Sequence, residues 1–540
     1  MSKDTYQDLV NRMKGKDTTE SWDVIVSYDE NKINELLQIH PISLVQNIKS
    51  ARGTAEKDSD TSDDDKPTTV NYDFDLKLGN SKLKFKSLET ASLTSTLSGT
   101  YKKEGDTKTR NIPDGYRLKL TVDLANMSGS HNNNNTNTQF IPDSSSSQYG
   151  TVGPSYTVNI GDGSNAARGI CLVFKEASPD ITFAGSGKKL SRIHAAALTD
   201  AIEKIMKKQT GYKHFIAGVN SYTSDADMIV LKPRTFAFSI VPGDEQNNLP
   251  GTLMMWIGVE GGKDNGRRPS KQDLLSFRPD KAANPIPKGS SASIIFSHDL
   301  MANSFFKPSL EKAFKNLKST TEAGKDFQGM QFAGDLDSAD VEIPKKKAEG
   351  TAIGHDALSF SPSKPATTIT CHPELATSEK SHVTIVYKSD EYSIYWERSK
   401  RKPTRGDIIP GNLVEYGWVK PTFYWNAHGK WGSKSTGQHN NILTLTFTLD
   451  SLWNITYRSE GSDNWFLGST TRIPGYFRDR SVPAPSISLE MKALDYFLTT
   501  NILFPGKHLF KADPPIANND KSKGLAVPKD LILTGEIQTV

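Results

Sequence analysis

The residue types that do catalysis and metal binding are all present in this chain, and their spacing argues against most of that chemistry. Eleven histidines are spread over 540 residues. None stands in an H-E-x-x-H arrangement, which sets two imidazoles on one helix face for zinc. His298–Asp299, His355–Asp356 and Cys371–His372 are adjacent pairs. Neighbours on a strand point to opposite faces, so adjacency alone builds no dyad. The two cysteines, Cys171 and Cys371, are too far apart in sequence to suggest a disulfide framework or a thiolate metal site. Each reads as a small buried apolar side chain. No G-x-S-x-G elbow occurs. The acidic run Lys57–Lys66 (KDSDTSDDDK) fails as a calcium loop. Counted from Asp58, its sixth position is Asp63 rather than glycine and its twelfth is Thr69 rather than glutamate. It reads as a solvated linker. Gly185–Ser191 (GSGKKLS) fails as a phosphate-cradling loop, because Thr182 stands where the first glycine belongs. The expectation is therefore no catalytic residue, no metal and no cofactor.

Two stretches carry other chemistry. Arg398–Arg405 (RSKRKPTR) is the densest positive run, with Lys400, Arg401 and Lys402 at its centre. It reads as a solvated loop, or as a contact for an anionic lipid headgroup or a protein partner. A nucleic-acid role would want interleaved aromatics, and only Tyr395 and Trp396 are near. Trp418, Tyr424, Trp425, Trp431, Trp453 and Trp465 crowd one region. That is a sugar-stacking platform or, more in keeping with aromatic preference for pleated surfaces, sheet core.

A net charge of +4 on 540 residues lacks the domain-scale basic bias of a nucleic-acid binder. Mean hydropathy is −0.53, and no run reaches the roughly 18 apolar residues of a membrane span. The first residues have no apolar core segment of the secretory kind. The default is a soluble, cytoplasmic protein, with non-classical export left open and peripheral membrane contact allowed.

The elements that must position any site centre on Ser21–Gln38 (SWDVIVSYDENKINELLQ). Trp22, Val24 and Val26 alternate as a short strand. Ser27 as N-cap with Glu30 three residues on predicts a capping box. Ile33, Leu36 and Leu37 form one apolar stripe, and Pro41 ends the run. A short helix is expected within Asp4–Met13. Val70–Leu76 and Leu118–Leu124 alternate as half-buried antiparallel strands. Ser128–Ser147 is polar and of low complexity, and reads as a flexible insertion. Ser191–Gln209 is the strongest helix, with Leu198, Ala201, Ile202 and Ile205 on one stripe. Further helices are expected at Ser304–Leu317 and Ser486–Leu503, and a terminal strand in the last residues. The expected organisation is an α+β domain over 1–320, a linker over 321–364 and a β-rich region over 365–540.

The opening stretch also resembles a known family. Trp22, Asp23, Asn31, Ile33, Asn34 and Leu37 are similar to the start of the OrfX proteins and their forty-seven-kilodalton companion, encoded beside clostridial neurotoxins. Leu249–Ile257 (LPGTLMMWI) and Ile286–Leu310 (IPKGSSASIIFSHDLMANSFFKPSL) are similar to the same family. The resemblance implies the TULIP fold, in which a long, strongly curved antiparallel sheet wraps around amphipathic helices, often about a lipid-sized cavity. The expected function is non-enzymatic binding of lipid or another apolar ligand, in a toxin-associated or other multi-protein complex. Ile33, Leu36, Leu37, Leu198, Ile202 and Ile205 are the expected ligand contacts, with Lys400, Arg401 and Lys402 meeting a headgroup or partner. The alternatives are a hydrolase with sequence-distant site residues, or a carbohydrate-binding or adhesion module in the C-terminal region.

Overall fold

A computed structural model describes residues 5–39, 41–42, 50–57, 68–87, 90–132, 139–142, 158–159, 166–174, 179–209, 211–220, 228–244, 246, 249–263, 285–311, 313–319, 330–336, 341–343, 358–360, 366–371, 383–388, 394–400, 413–419, 424–435, 441–450, 489–496, 508–513 and 524–539. The chain opens with helix α1 (Tyr6–Met13), started by a reciprocal capping box between Thr5 and Asp8. Strand β1 (Val24–Asp29) and helix α2 (Glu30–Ile39) follow. All six residues of β1 are buried. Val24, Val26 and Tyr28 enter the main core, while Ile25 meets Trp22 and the apolar face of α1 on the other side. This explains why β1 reads apolar almost throughout: it is covered on both faces.

Among the described residues β1 is central in an antiparallel sheet, pairing Thr252–Val259 on one edge and Ala292–Phe296 on the other. Leu531–Thr539, near the other end of the sequence, pairs with Ala292–Phe296. A second, nine-stranded sheet runs in the order Tyr212–Asn220, Ala166–Phe174, Tyr116–Asn132, β4 (Thr90–Lys103), β3 (Thr68–Phe85) and β2 (Ser50–Lys57), with three short strands alongside. A register shift between Leu78 and Ser81 of β3, and another between Phe215 and Ala217, interrupt its ladders; such bulges bend and twist the strand that carries them. A third sheet runs from Phe314–Ser319 through Met330–Leu336, Ala366–Cys371, Val383–Lys388 and Tyr424–Ser435 to Asn441–Asp450 and beyond. The fold is thus α+β, with curled antiparallel sheets around amphipathic helices. One continuous apolar core touches all three sheets, α2 and helix α3 (Arg192–Lys208). No helix among the described residues is long and apolar enough to cross a membrane.

Several local expectations are corrected. Ser27 is not a cap. It lies mid-strand between Met254 and Ser293, and pairing on both edges carries β1 on to Asp29. The Asp29 carboxylate instead accepts the Asn31 N–H at 2.7 Å. The helix expected at Ser304–Leu317 starts earlier, capped by Ser297, runs through a π-type turn at Met301–Phe306 and ends at Leu310. Phe314–Ser319 is already strand. Within Ser486–Leu503, none of residues 489–496 is helical and Leu494–Asp495 pairs with Ile442–Leu443; sheet pairing overrides the helical spacing there. In Ser128–Ser147, Gly129–Asn132 pairs with Gln139–Pro142 as a hairpin. Residues 133–138 and 143–147 lie outside the described set, as do 58–66 of the acidic run. Met330–Leu336, in the stretch expected as linker, pairs with Ala366–Cys371.

Helix α3 lies very close to β2. A Cβ on Gly53 would come 1.8 Å from the Ala197 carbonyl oxygen and 2.9 Å from the Ala201 Cβ. Gly53→Ala should therefore cost about 3 kcal/mol, as for overpacking of a tight contact, read by urea unfolding. Gly187→Ala, where a Cβ would meet nothing within 4 Å, serves as the control and should be close to neutral.

Candidate functional site

The two amphipathic helices are fixed by polar side chains that bond to sheet backbone. Leu83 and Phe85 lie in the part of β3 beyond the reach of β2, which pairs only with Thr68–Asp75. Their outward backbone groups find α2 instead. Asn34 donates to the Leu83 carbonyl at 2.8 Å and accepts the Leu83 N–H at 2.6 Å. Glu30 accepts the Phe85 N–H at 2.7 Å. Burial pushes the Glu30 carboxyl above its ordinary range, while the bond from Phe85 pulls the other way. Helix α3 treats the edge strand β2 in the same manner. Asp200 accepts the Thr54 N–H at 2.7 Å and its hydroxyl at 2.9 Å, and pairs with Lys204 at 2.7 Å.

These tethers turn the helix stripes inward. Ile33, Leu198 and Ile202 are fully buried, Leu36 and Leu37 nearly so, and Ile205 is half-buried against the same core. The six expected contact residues therefore join one apolar interior. On the sheet side, Leu118, Leu120, Val122 and Leu124 project into it along one strand. The next residue on that face is Asn126, paired in register with the buried Ile170. Its amide is buried, and among the described residues neither its nitrogen nor its oxygen has a hydrogen-bond partner. Alternation predicts an apolar residue there, so the sequence signal was a polar break in an apolar row. Two residues on, Ser128 is half-buried opposite Arg168. Lys400 ends the strand Ile394–Lys400; Arg401 and Lys402 lie outside the described residues.

The adjacent pair His298–Asp299 does meet. His298 Nε2 is 3.0 Å from Asp299, and Lys263 also pairs with Asp299. Both residues sit in the first turn of a helix rather than on a strand, so their side chains are not set on opposite faces. Buried Asp530 accepts the His298 N–H at 2.9 Å and the Thr18 N–H and hydroxyl at 2.6 and 2.7 Å. The cluster ties the chain's beginning and end to this helix start. His355, Asp356 and His372 lie outside the described residues. Cys171 is buried, which pushes its thiol up to about 12, so little reactive thiolate forms. Trp431 is buried and stacks on Phe305 at 5.4 Å between ring centres; it belongs to the core rather than to a sugar platform. Trp453 and Trp465 lie outside the described residues.

No protein-family model and no curated protein matches the chain. Among solved structures it is similar to P47 of Clostridium botulinum E1, at 9% identity and a TM-score of 0.41, over 96% of this chain and 99% of that one. It is also similar to P47 from Clostridium botulinum A2, at 12% identity and a TM-score of 0.37, over 96% and 98%. A lipopolysaccharide binding protein matches at 9% identity and a TM-score of 0.27, over 96% and 99%.

The bond to His298 and the pairing with Lys263 hold the Asp299 carboxyl well below its ordinary value of 3.8. A carboxyl depressed in the folded state stabilises above its unfolded value and loses that contribution as pH falls through the folded one. Asp299→Asn should therefore lower urea stability near neutral pH, and the gap from the native chain should narrow as pH drops below about 4.

Proposed function

We propose that this chain is a non-enzymatic binding protein that takes a lipid or another apolar ligand against the inner face of its curled sheet. Asn126 carries the reading. Leaving a buried amide unpaired costs about 1–3 kcal/mol, and an apolar residue of similar size would avoid that cost. An amide at the end of an apolar row suits a ligand with a long apolar part and one uncharged hydrogen-bonding group, such as an ester, amide or hydroxyl. Ile33, Leu36, Leu37, Leu198, Ile202 and Ile205 are the proposed apolar contacts. Ile205 is the half-buried one among them. Lys400, Arg401 and Lys402 are the proposed contact for a headgroup or partner.

A second reading is a scaffold that offers its surface to partner proteins in a larger complex. The close burial of Ile33, Leu198 and Ile202 favours it, because these side chains are already packed by the chain itself.

Native mass spectrometry with organic extraction of the purified protein separates the two. The binding reading expects a stoichiometric apolar species of defined mass. Asn126→Leu should lose that species while its melting temperature holds or rises, since both unpaired atoms are removed. Ile202→Trp should lower occupancy with the fold intact. A native protein free of any extractable species, together with an Ile202→Trp variant destabilised by about 1–3 kcal/mol as in an overpacked core, would contradict binding and favour the scaffold.

A further inference from the structure

The stretch before α3, which fails as a phosphate loop, is a place where the apolar interior reaches the surface among cations. Asp180–Phe183 pairs with the start of Tyr116–Asn132, setting Ile181 opposite Leu118 and Phe183 opposite Tyr116. Leu118 and Tyr116 face the core, so Ile181 and Phe183 continue that inner face outward. Both are only half-buried, as are Leu190 and Ile193 beyond the turn. The connection is held in place. Ala184 donates its N–H to the Gly115 carbonyl at 2.9 Å, Leu190 donates its N–H to the Tyr116 hydroxyl at 2.8 Å, and the Phe183 ring packs on Tyr116 at 5.0 Å.

Around this apolar rim stand Lys188, Lys189 and Arg192, all exposed. The Lys189 ammonium lies 5.6 Å over the Phe183 ring. Arg117, exposed, and Lys119, half-buried, lie on the paired strand, with Asp114 and Asp180 as the nearby acidic residues in these segments. The balance is positive. A ring of cations about half-buried apolar side chains complements an anionic bilayer surface, where phosphates overlie acyl chains. Single-stranded nucleic acid would want free aromatic faces in series, whereas Phe183 is already engaged by Tyr116 and Lys189.

We propose that this end of the molecule, with Ile181, Phe183, Leu190, Lys188, Lys189 and Arg192, docks on an anionic lipid surface. The surface is independent of what the interior holds.

Co-sedimentation with sucrose-loaded vesicles tests it, comparing phosphatidylcholine alone with phosphatidylcholine containing about 30% phosphatidylserine. The native chain should bind the anionic vesicles and not the neutral ones, and should release them as salt rises from about 0.1 to about 0.5 M. Each cation near such a surface is worth roughly a five-fold gain in partitioning. The combined variant Lys188→Glu, Lys189→Glu, Arg192→Glu should therefore lose about a hundred-fold or more with an unchanged melting temperature. Leu190→Ser should lose several-fold while keeping the salt dependence. Lys315→Glu, Lys318→Glu, exposed on the strand Phe314–Ser319 of the third sheet, should bind as the native chain does. Three results would overturn the proposal: a native chain that ignores anionic vesicles or binds neutral ones equally, a combined 188, 189 and 192 variant that binds as well as native, or a loss on the 315 and 318 variant as large as on the combined one. A native chain that carries an extractable apolar species yet ignores vesicles would overturn this docking and leave the interior reading standing.

Discussion

Backbone groups at the open side of the nine-stranded sheet must be satisfied, and two helices do it with side chains. An unpaired buried N–H or C=O is expensive, and an exposed strand edge invites pairing with another chain. Asn34 and Glu30 of α2 take the backbone of Leu83 and Phe85, and Asp200 of α3 takes Thr54. These few bonds do more than complete the edge. Helix α2 is the direct continuation of β1, which lies at the centre of the other sheet. Its hold on β3 therefore joins the two sheets. Gly53 and the small residues Ala197 and Ala201 let α3 lie almost on β2.

With the helices fixed at the edge, their apolar stripes face inward and meet the inward rows of the sheet. The result is a continuous apolar interior with a polar break at Asn126, whose buried amide has no hydrogen-bond partner among the described residues. Before α3, inner-face side chains surface among cations. Interior and rim differ in chemistry. The interior suits an uncharged group on an apolar body, and the rim suits an anionic plane.

The helices and strands with a strong period were legible in the sequence. The stripe Leu198, Ala201, Ile202 was readable because 3.6-residue spacing and a terminal lysine pair agree over several turns. The alternation Leu118–Leu124 was readable because one face is buried. What was missed depends on contacts between distant segments. Ser27 has the right residue type for a cap, but pairing with Met254 and Ser293 keeps it in a strand. Leu494 and its neighbours have helical spacing, but pair between Ile442–Leu443 on one side and Ile229–Val230, some 265 positions earlier in the chain, on the other. The pairing of His298 with Asp299 needs a helical first turn, and the motif was placed too far along to provide one. At the candidate site, helical spacing marks six apolar side chains that the structure buries or half-buries against the core, whereas Asn126 carries no period as a single polar residue in a strand.

The central claim is that the Asn126 amide meets a polar group of an apolar ligand. Its most direct test is the side-chain amide resonance of Asn126 in protein labelled at asparagine nitrogen, assigned through the Asn126→Leu variant. The spectrum would be compared before and after removal of bound lipid, and again after titration back with the extract. The account predicts that the Asn126 amide pair moves on removal and returns on saturation. An Asn126 resonance that stays in place through the whole cycle, while the extract is shown to be present, would contradict it.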